Sequence, residues 1–257
     1  MSENFWTALG AIGGTLAFGG VVWQGYLTRE ALKVSQLMTA DAIRTRLDSQ
    51  APAVALNMSE PIWEPQAWTP SGMPCNPWPP GQTWHFPGEQ EGQNRIALQQ
   101  ILTLANSSDR RVQIRCDGNL VTVRDNRPVA AGVFLLEPGE LSPDIYLQHD
   151  FSIKELAENF AARQADRELP HQVRGSITVE DDRDNGSTDR WDLTLTGCPV
   201  EPVPDRDALW RIASCHLHEG SGLRTLDYSL LPPRQRIHWV SRARGIQLPD
   251  PAGLAPQ

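Results

Sequence analysis

The stretch from Phe5 to Leu27, FWTALGAIGGTLAFGGVVWQGYL, has 23 residues and no charged side chain. As a helix rising about 1.5 Å per residue it would reach roughly 35 Å, which exceeds the roughly 30 Å hydrocarbon core of a bilayer. Trp6, Trp23 and Tyr26 lie near its ends, where aromatic side chains anchor at the headgroups. The stretch therefore predicts a single transmembrane helix over residues 5–27.

Two other interpretations of this stretch stay open. A cleaved secretion signal needs a basic start, whereas the residues before Phe5 carry only Glu3 and the amino terminus. A buried helix of a soluble protein is disfavoured because the glycines make the segment a poor helix former in water. Gly10 and Gly14 form a G-x-x-x-G pattern, which favours helix self-association, although glycine is also common in membrane helices generally.

Basic residues flank this stretch only on its C-terminal side, at Arg29, Lys33, Arg44 and Arg46. The positive-inside rule then puts that side in the cytoplasm. We therefore expect a single-pass protein whose larger part is cytoplasmic, where its four cysteines would remain reduced thiols.

Beyond residue 27 the chain changes from a helical to a strand-like pattern. Residues 28–50 are rich in helix formers and end before Pro52, so they predict a juxtamembrane helix. Short β-branched runs separated by turn residues follow and predict a mainly β, antiparallel, immunoglobulin-like sandwich with one amphipathic helix. The expected organisation is an N-terminal tail (1–4), a transmembrane helix (5–27), a juxtamembrane helix (28–50), a β-sandwich domain (51–246) with a Pro/Trp-rich loop (61–93), and a C-terminal tail (247–257).

Three local patterns within residues 51–246 are specific enough to test. Ser152 and Glu155 form a capping box that predicts a helix over about 152–166. Asn185-Gly186 between two alternating runs predicts a hairpin with a type I′ turn. The arginines of the run PPRQRIHWVSRARG are expected to point into solvent from an edge strand rather than to bind lipid or RNA; they are Arg234, Arg236, Arg242 and Arg244.

The Pro/Trp-rich loop holds Trp63, Trp68, Trp78 and Trp84. Loops this long are usually functional or disordered, and four tryptophans are costly to expose to water. We therefore expect an ordered loop, and its tryptophans are a candidate binding surface. The alternative is that they pack against the sheet.

Metal and cofactor signals are weak. The acidic run Glu180, Asp181, Asp182 and Asp184 resembles a calcium loop, but Arg183 lies where an oxygen ligand is needed, so we expect a solvated hairpin tip. The histidines His216 and His218, with Cys215, form an isolated cluster without a second ligand pair. Neither a metal nor a cofactor is predicted.

The net charge of -8 falls on residues 52–257, because the first 51 residues hold four acidic and four basic side chains. This acidity disfavours nucleic-acid partners. The sequence contains no nucleophile elbow, P-loop, dinucleotide or zinc-protease motif, which favours a protein that is not an enzyme.

Three phrases carry a family resemblance: TRLDSQAPAVAL, NPWPPGQTWHFP, and the long run beginning GSITVEDDRDNGSTDRWDL. The chain resembles N-terminally membrane-anchored proteins of actinobacteria or of their phages, a group with no established activity. The resemblance implies a bacterial inner (plasma) membrane and an uncleaved anchor, and it transfers no site residue.

The function expected from the sequence is a membrane-anchored, non-enzymatic binding or scaffold module at the cytoplasmic face, with a protein partner or a second copy as its target. One alternative is a membrane assembly or phage-defence component acting by oligomerisation. Another is a hydrolase whose site has no recognisable motif.

Overall fold

The computed structural model describes residues 3–63, 65–68, 74–75, 85–87, 95–125, 127–206, 209–213 and 225–249, with the backbone alone at 3–20, 22, 68, 74–75 and 85–87. By its internal contacts the chain divides into two compact units. The smaller unit comprises residues 1–51, 184–186 and 238–257, and the larger comprises 52–183 and 187–237.

Within these described residues the chain forms two helices and a set of mostly short strands. The helices are α1 (Glu3–Ser49) and α2 (Ile153–Gln164). The strands are β1 (Val54–Pro61), β2 (Gln66–Trp68), β3 (Pro74–Cys75), β4 (His85–Pro87), β5 (Arg95–Asn106), β6 (Val112–Gly118), β7 (Leu120–Arg124), β8 (Arg127–Ala130), β9 (Val133–Leu136), β10 (Ile145–Ser152), β11 (Gln172–Glu180), β12 (Gly186–Gly197), β13 (Val200–Pro202), β14 (Leu209–Ile212), β15 (Leu226–Tyr228), β16 (Arg234–Ser241) and β17 (Ile246–Gln247).

The smaller unit is dominated by α1, which has 47 residues and would extend about 70 Å. It covers both predicted helical segments and ends before Pro52, as the proline predicts. No helix among the described residues is long and apolar enough to cross a membrane. Most of the predicted span lies outside the residues whose side chains are described.

The larger unit confirms the mainly β, antiparallel prediction. Its first sheet has the strand order β3-β2-β5-β10-β7-β8, with β1 also paired to β5. Its second sheet runs β9-β6-β11-β12-β16, with β15 also paired to β12, and a small third sheet runs β13-β14-β4. The last residues of β16 belong to the smaller unit, where they pair with β17. The inner faces of the first two sheets share one hydrophobic core, in which Leu98, Leu147, Ile177 and Leu195 are almost fully buried.

Helix α2 begins at the predicted capping box. The Glu155 backbone N–H donates to Ser152 Oγ at 3.2 Å, and the Ser152 backbone N–H donates to Glu155 Oε2 at 2.7 Å. Asn159 is fully buried on this helix, and its amide donates to the carbonyls of His171 and Gly197 at 2.9 and 3.0 Å. These bonds fix α2 to the first residues leading into β11 and to the end of β12.

The β11–β12 hairpin is confirmed, but its predicted tight turn is wrong. The last paired residues are Glu180 and Thr188, so seven residues connect them, 181–187. A two-residue turn at Asn185-Gly186 would require a different register. Within this connection the Asp181 side chain is fully buried and binds Arg183.

Candidate binding groove

The outer face of the second sheet is polar because side chains alternate along its strands. On β11 the buried positions are Val173, Ile177 and Val179, so the positions between them face outward. Ser176 and Thr178 therefore form the centre of the exposed face, with β6 on one side and β12 on the other. Both side chains are short, so longer neighbours rise on either side of them.

The strand register arranges these longer side chains in rows. Ser176 lies opposite Asp117 on β6 and Asp192 on β12. Because successive outward positions are two residues apart, the next row lies about 7 Å along the strands. In that row Thr178 lies opposite Arg115 and Arg190, so a row of two carboxylates adjoins a row of two guanidinium groups.

An open groove of about 430 Å³ lies over this face, with Asp117, Ser176, Arg190 and Asp192 among its lining residues. Gly118, where β6 ends with φ +81, also lines the groove. A Cβ at this position would meet the carbonyl oxygen of Arg174 at 2.6 Å, so the close approach of the two strands requires glycine.

The two walls of the groove differ in how firmly their charges are held. On the β12 wall, Arg190 Nε and Nη2 each donate to Asp192 Oδ1 at 2.9 Å, and Gln235 donates to Asp192 Oδ2 at 3.2 Å. On the β6 side, Asp117 lines the groove and Arg115 lies one row beyond its lining residues; neither side chain has a hydrogen-bond or ion-pair partner within the described part of the chain. The β6 wall therefore presents one unpaired donor group and one unpaired acceptor group to a ligand.

Beside this wall, on the inner face of β6, lies the buried thiol of Cys116. Burial, with a smaller contribution from the charge of Asp117, raises the pKa of Cys116 from 9.0 to about 12. A thiol so protonated is a poor nucleophile. Burial also raises the pKa of Cys198, and both cysteines are unpaired.

The turn end of the hairpin differs, because two of its carboxylates are buried and bound by arginine. Asp181 has no exposed side-chain surface, and the Nε of Arg183 donates to its Oδ2 at 2.6 Å. Asp189 is 3% exposed, and Arg236 binds both of its oxygens at 2.6 and 2.7 Å. The expected solvated tip is therefore wrong at Asp181.

The expectation that the arginines of β16 point into solvent is also wrong in part. Arg236 is only 19% exposed because it neutralises Asp189, which occupies a core-facing position of β12. Arg234 is 48% exposed and lies 3.7 Å from the same carboxylate. No cluster of metal-binding side chains occurs among the described residues.

The tryptophans predicted as a binding surface are only partly described. Trp63 is half-buried and packs against the core. Trp68 belongs to β2, but its side chain, together with Trp78 and Trp84, lies outside the described residues. The structure therefore tests the alternative, packing of the tryptophans, at Trp63 alone.

Other candidate residues also lie outside the description. Gly10 and Gly14 lie on the α1 backbone, and their surroundings are outside the described part. Cys215, His216 and His218 also lie outside the described residues. The groove was not predicted, although the alternation of Arg174, Ser176 and Thr178 with apolar residues could have indicated its polar floor.

The chain matches no family model, no curated protein and no solved structure. The resemblance to actinobacterial membrane-anchored proteins therefore stays a prediction. The function has to be inferred from the helix and the groove.

Proposed function

We propose that this chain is a single-pass, membrane-anchored and non-enzymatic binding module, whose immunoglobulin-like sandwich lies on the cytoplasmic side of a bacterial inner membrane. The observation that carries the proposal is the surface of α1 at the C-terminal end of the uncharged stretch. Val21, Trp23, Tyr26 and Leu27 expose 68%, 64%, 57% and 49% of their surface. Exposed apolar side chains this close together are typical of a membrane or protein interface.

The distribution of charge supports the same location. Residues 5–27 carry no charge, and the first charged side chain after them is Arg29. Trp23 and Tyr26 lie at that boundary with ring centroids 6.1 Å apart, which suits an aromatic anchor at the headgroups. Cations on this side of the helix favour a cytoplasmic location for the domain that follows.

Extraction and labelling test the anchor and its orientation. The full chain should stay in the membrane pellet after alkaline carbonate extraction and should dissolve in detergent. A Leu231→Cys variant, at a position 86% exposed, should react with an impermeant maleimide only after the cells are permeabilised. A Ser2→Cys variant should react in intact cells. The reverse labelling pattern would overturn the orientation, and extraction by carbonate would overturn the anchor.

The groove, together with the adjoining row of Thr178 and Arg115, is the proposed binding surface, and an extended protein segment carrying both charges suits it best. The segment would place acidic groups near Arg115 and basic groups near Asp117, while Ser176 and Thr178 leave room for its backbone. Charge complementarity of this kind gives specificity and a faster association rate.

A photo-crosslinking residue at Thr178 in the membrane-bound protein tests this site. It should give a discrete adduct that is lost in an Arg115→Glu, Asp117→Arg variant, which keeps the net charge but exchanges the signs. A matched exchange away from the groove, Arg127→Glu with Glu140→Arg, should keep the adduct. An adduct that survives the groove exchange would contradict the proposed site.

The tryptophan surface is tested separately. Because Trp63 packs against the core, Trp78→Ala with Trp84→Ala is a cleaner change than deletion of the loop. If these tryptophans contact the partner, the Thr178 adduct should weaken several-fold while the melting temperature stays unchanged. Loss of both together would indicate packing rather than binding.

A further inference from the structure

Strand β9 forms one end of the second sheet within the described residues, where β6 is its neighbour. Val133 and Leu135 on this strand are 58% and 51% exposed. The surrounding segment, Pro128–Leu136, contains no charged residue. Exposed edge strands are usually protected by charge, by a cover or by a bulge, because they are templates for another strand. On β9 itself the sequence supplies no such charge.

The backbone of β9 shows which groups are available at this edge. The Cys116 N–H donates to the carbonyl of Gly132 at 2.8 Å, so Gly132 faces β6. Because an antiparallel ladder alternates, Phe134 and Leu136 also direct their backbone groups toward β6. Val133 and Leu135 therefore direct their N–H and C=O groups away from β6, to the edge.

We propose that β9 pairs antiparallel with β9 of a second copy of this chain, around a twofold axis at Phe134. In this register Val133 of one copy lies opposite Leu135 of the other. Both residues have outward backbone groups, so the pairing forms four backbone hydrogen bonds. The four side chains fall on the same face of the joined sheet, where they cover one another's apolar surface.

The strand suits its own copy because its pattern is symmetric about Phe134. A slip by one residue would bring an outward backbone group against one that already faces β6. The contact is small, well below the roughly 1,000 Å² expected of a stable independent interface. The proposal therefore rests on the proposed membrane anchor, since tethering raises the effective concentration of one copy near another.

Disulfide trapping of the full chain in membranes tests the register. Two differently tagged chains, one Val133→Cys and one Leu135→Cys, are co-expressed and oxidised. Opposed residues of a hydrogen-bonded pair have Cα atoms about 5.5 Å apart, which suits a disulfide. The mixed pair should cross-link at least tenfold more than Val133→Cys alone. The matched control is Val123→Cys, because Val123 is 52% exposed but lies on β7, between β10 and β8. The wild-type chain gives the background cross-linking of the native cysteines.

Further variants separate the edge from the helix and the anchor. Adding Leu135→Lys to the Val133→Cys chain should abolish trapping by Leu135→Cys, whereas Val123→Lys should leave it unchanged. Edge pairing would be overturned if trapping persisted in the Leu135→Lys variant but was lost when Gly10 and Gly14 were both changed to Ile. Mixed-pair trapping no greater than that of the Val123→Cys control, in chains that sediment with membranes, would also overturn it. Chains that do not sediment refute the anchor instead, and trapping at high protein concentration then tests the edge alone.

Discussion

The two ends of the β11–β12 hairpin use the same residue types for opposite purposes. Near the turn, Asp189 occupies a core-facing position and is 3% exposed, with Arg236 on both oxygens. Three residues along the same strand, Asp192 faces outward and is 51% exposed, although Arg190 also binds it. Both carboxylates bind an arginine, so the arginine does not decide their role. A carboxylate at an inward-facing position of the strand supports the fold, whereas one at an outward-facing position is available to a ligand.

The largest expected difference between the two ends is in stability. Asp189→Ala should lower the free energy of unfolding by about 3 to 5 kcal/mol, because the largely buried Arg236 would lose the carboxylate that binds it through both oxygens. Asp192→Ala should cost at most about 1 kcal/mol, because an exposed ion pair contributes little. Urea unfolding of the full chain in detergent measures both values. Equal costs would remove the distinction between the two ends.

A compensating variant sharpens this prediction. Asp189→Leu together with Arg236→Met replaces the buried pair by apolar side chains of similar size, and such replacements are often neutral or stabilising. The double variant should therefore recover most of the stability lost in Asp189→Ala. Failure to recover would show that Arg236 also stabilises the fold through contacts other than the one with Asp189.

The next effect concerns Gly118, in the lining of the groove. Gly118→Ala and Gly139→Ala each put a side chain at a left-handed position, with φ +81 and +76. Such strain costs about 1 to 3 kcal/mol. At Gly118 the new Cβ also meets Arg174 O at 2.6 Å, whereas at Gly139 it meets nothing within 4 Å. Gly118→Ala should therefore destabilise more in thermal unfolding, and similar costs would contradict the close strand approach.

Local sequence patterns predicted the local elements well. The capping box of Ser152 and Glu155 is confirmed because both of its hydrogen bonds involve residues three apart. Alternation along β11 and β12 likewise predicted the hairpin and its two faces. Such patterns succeed because the interacting groups are neighbours in the chain or share one strand period.

Long-range pairings could not be predicted in the same way. The Asp189–Arg236 pair joins residues 47 apart, and nothing near Arg236 in the sequence indicates a buried partner. The rows of charged side chains on the outer face depend on the register of β6 against β11. The alternation of polar and apolar residues along each strand does not fix that register. One signal for the buried carboxylate was available in the sequence. The two-residue period of β12 puts Asp189 on the same face as the apolar Trp191 and Leu193.

The smallest expected effect lies on β6, where the outward Asp117 adjoins the inward Cys116. Burial first, and Asp117 second, raise the pKa of Cys116 to about 12 in the folded chain. The folded state therefore keeps this proton more firmly than the unfolded state. Its stabilising contribution is complete below the ordinary pKa of 9.0 and is lost as the pH rises through the folded value. The unfolding free energy should thus fall between about pH 9 and 12.

Two variants separate the contributions to this alkaline slope. Cys116→Ala should flatten it measurably, although Cys198, whose pKa is also raised, keeps part of it. Asp117→Asn should flatten it less, because Asp117 is the smaller cause. The measurement is urea unfolding at a series of pH values. A slope that depends more on Asp117 than on Cys116 would mean that the exposed wall of the groove, rather than burial, controls the thiol.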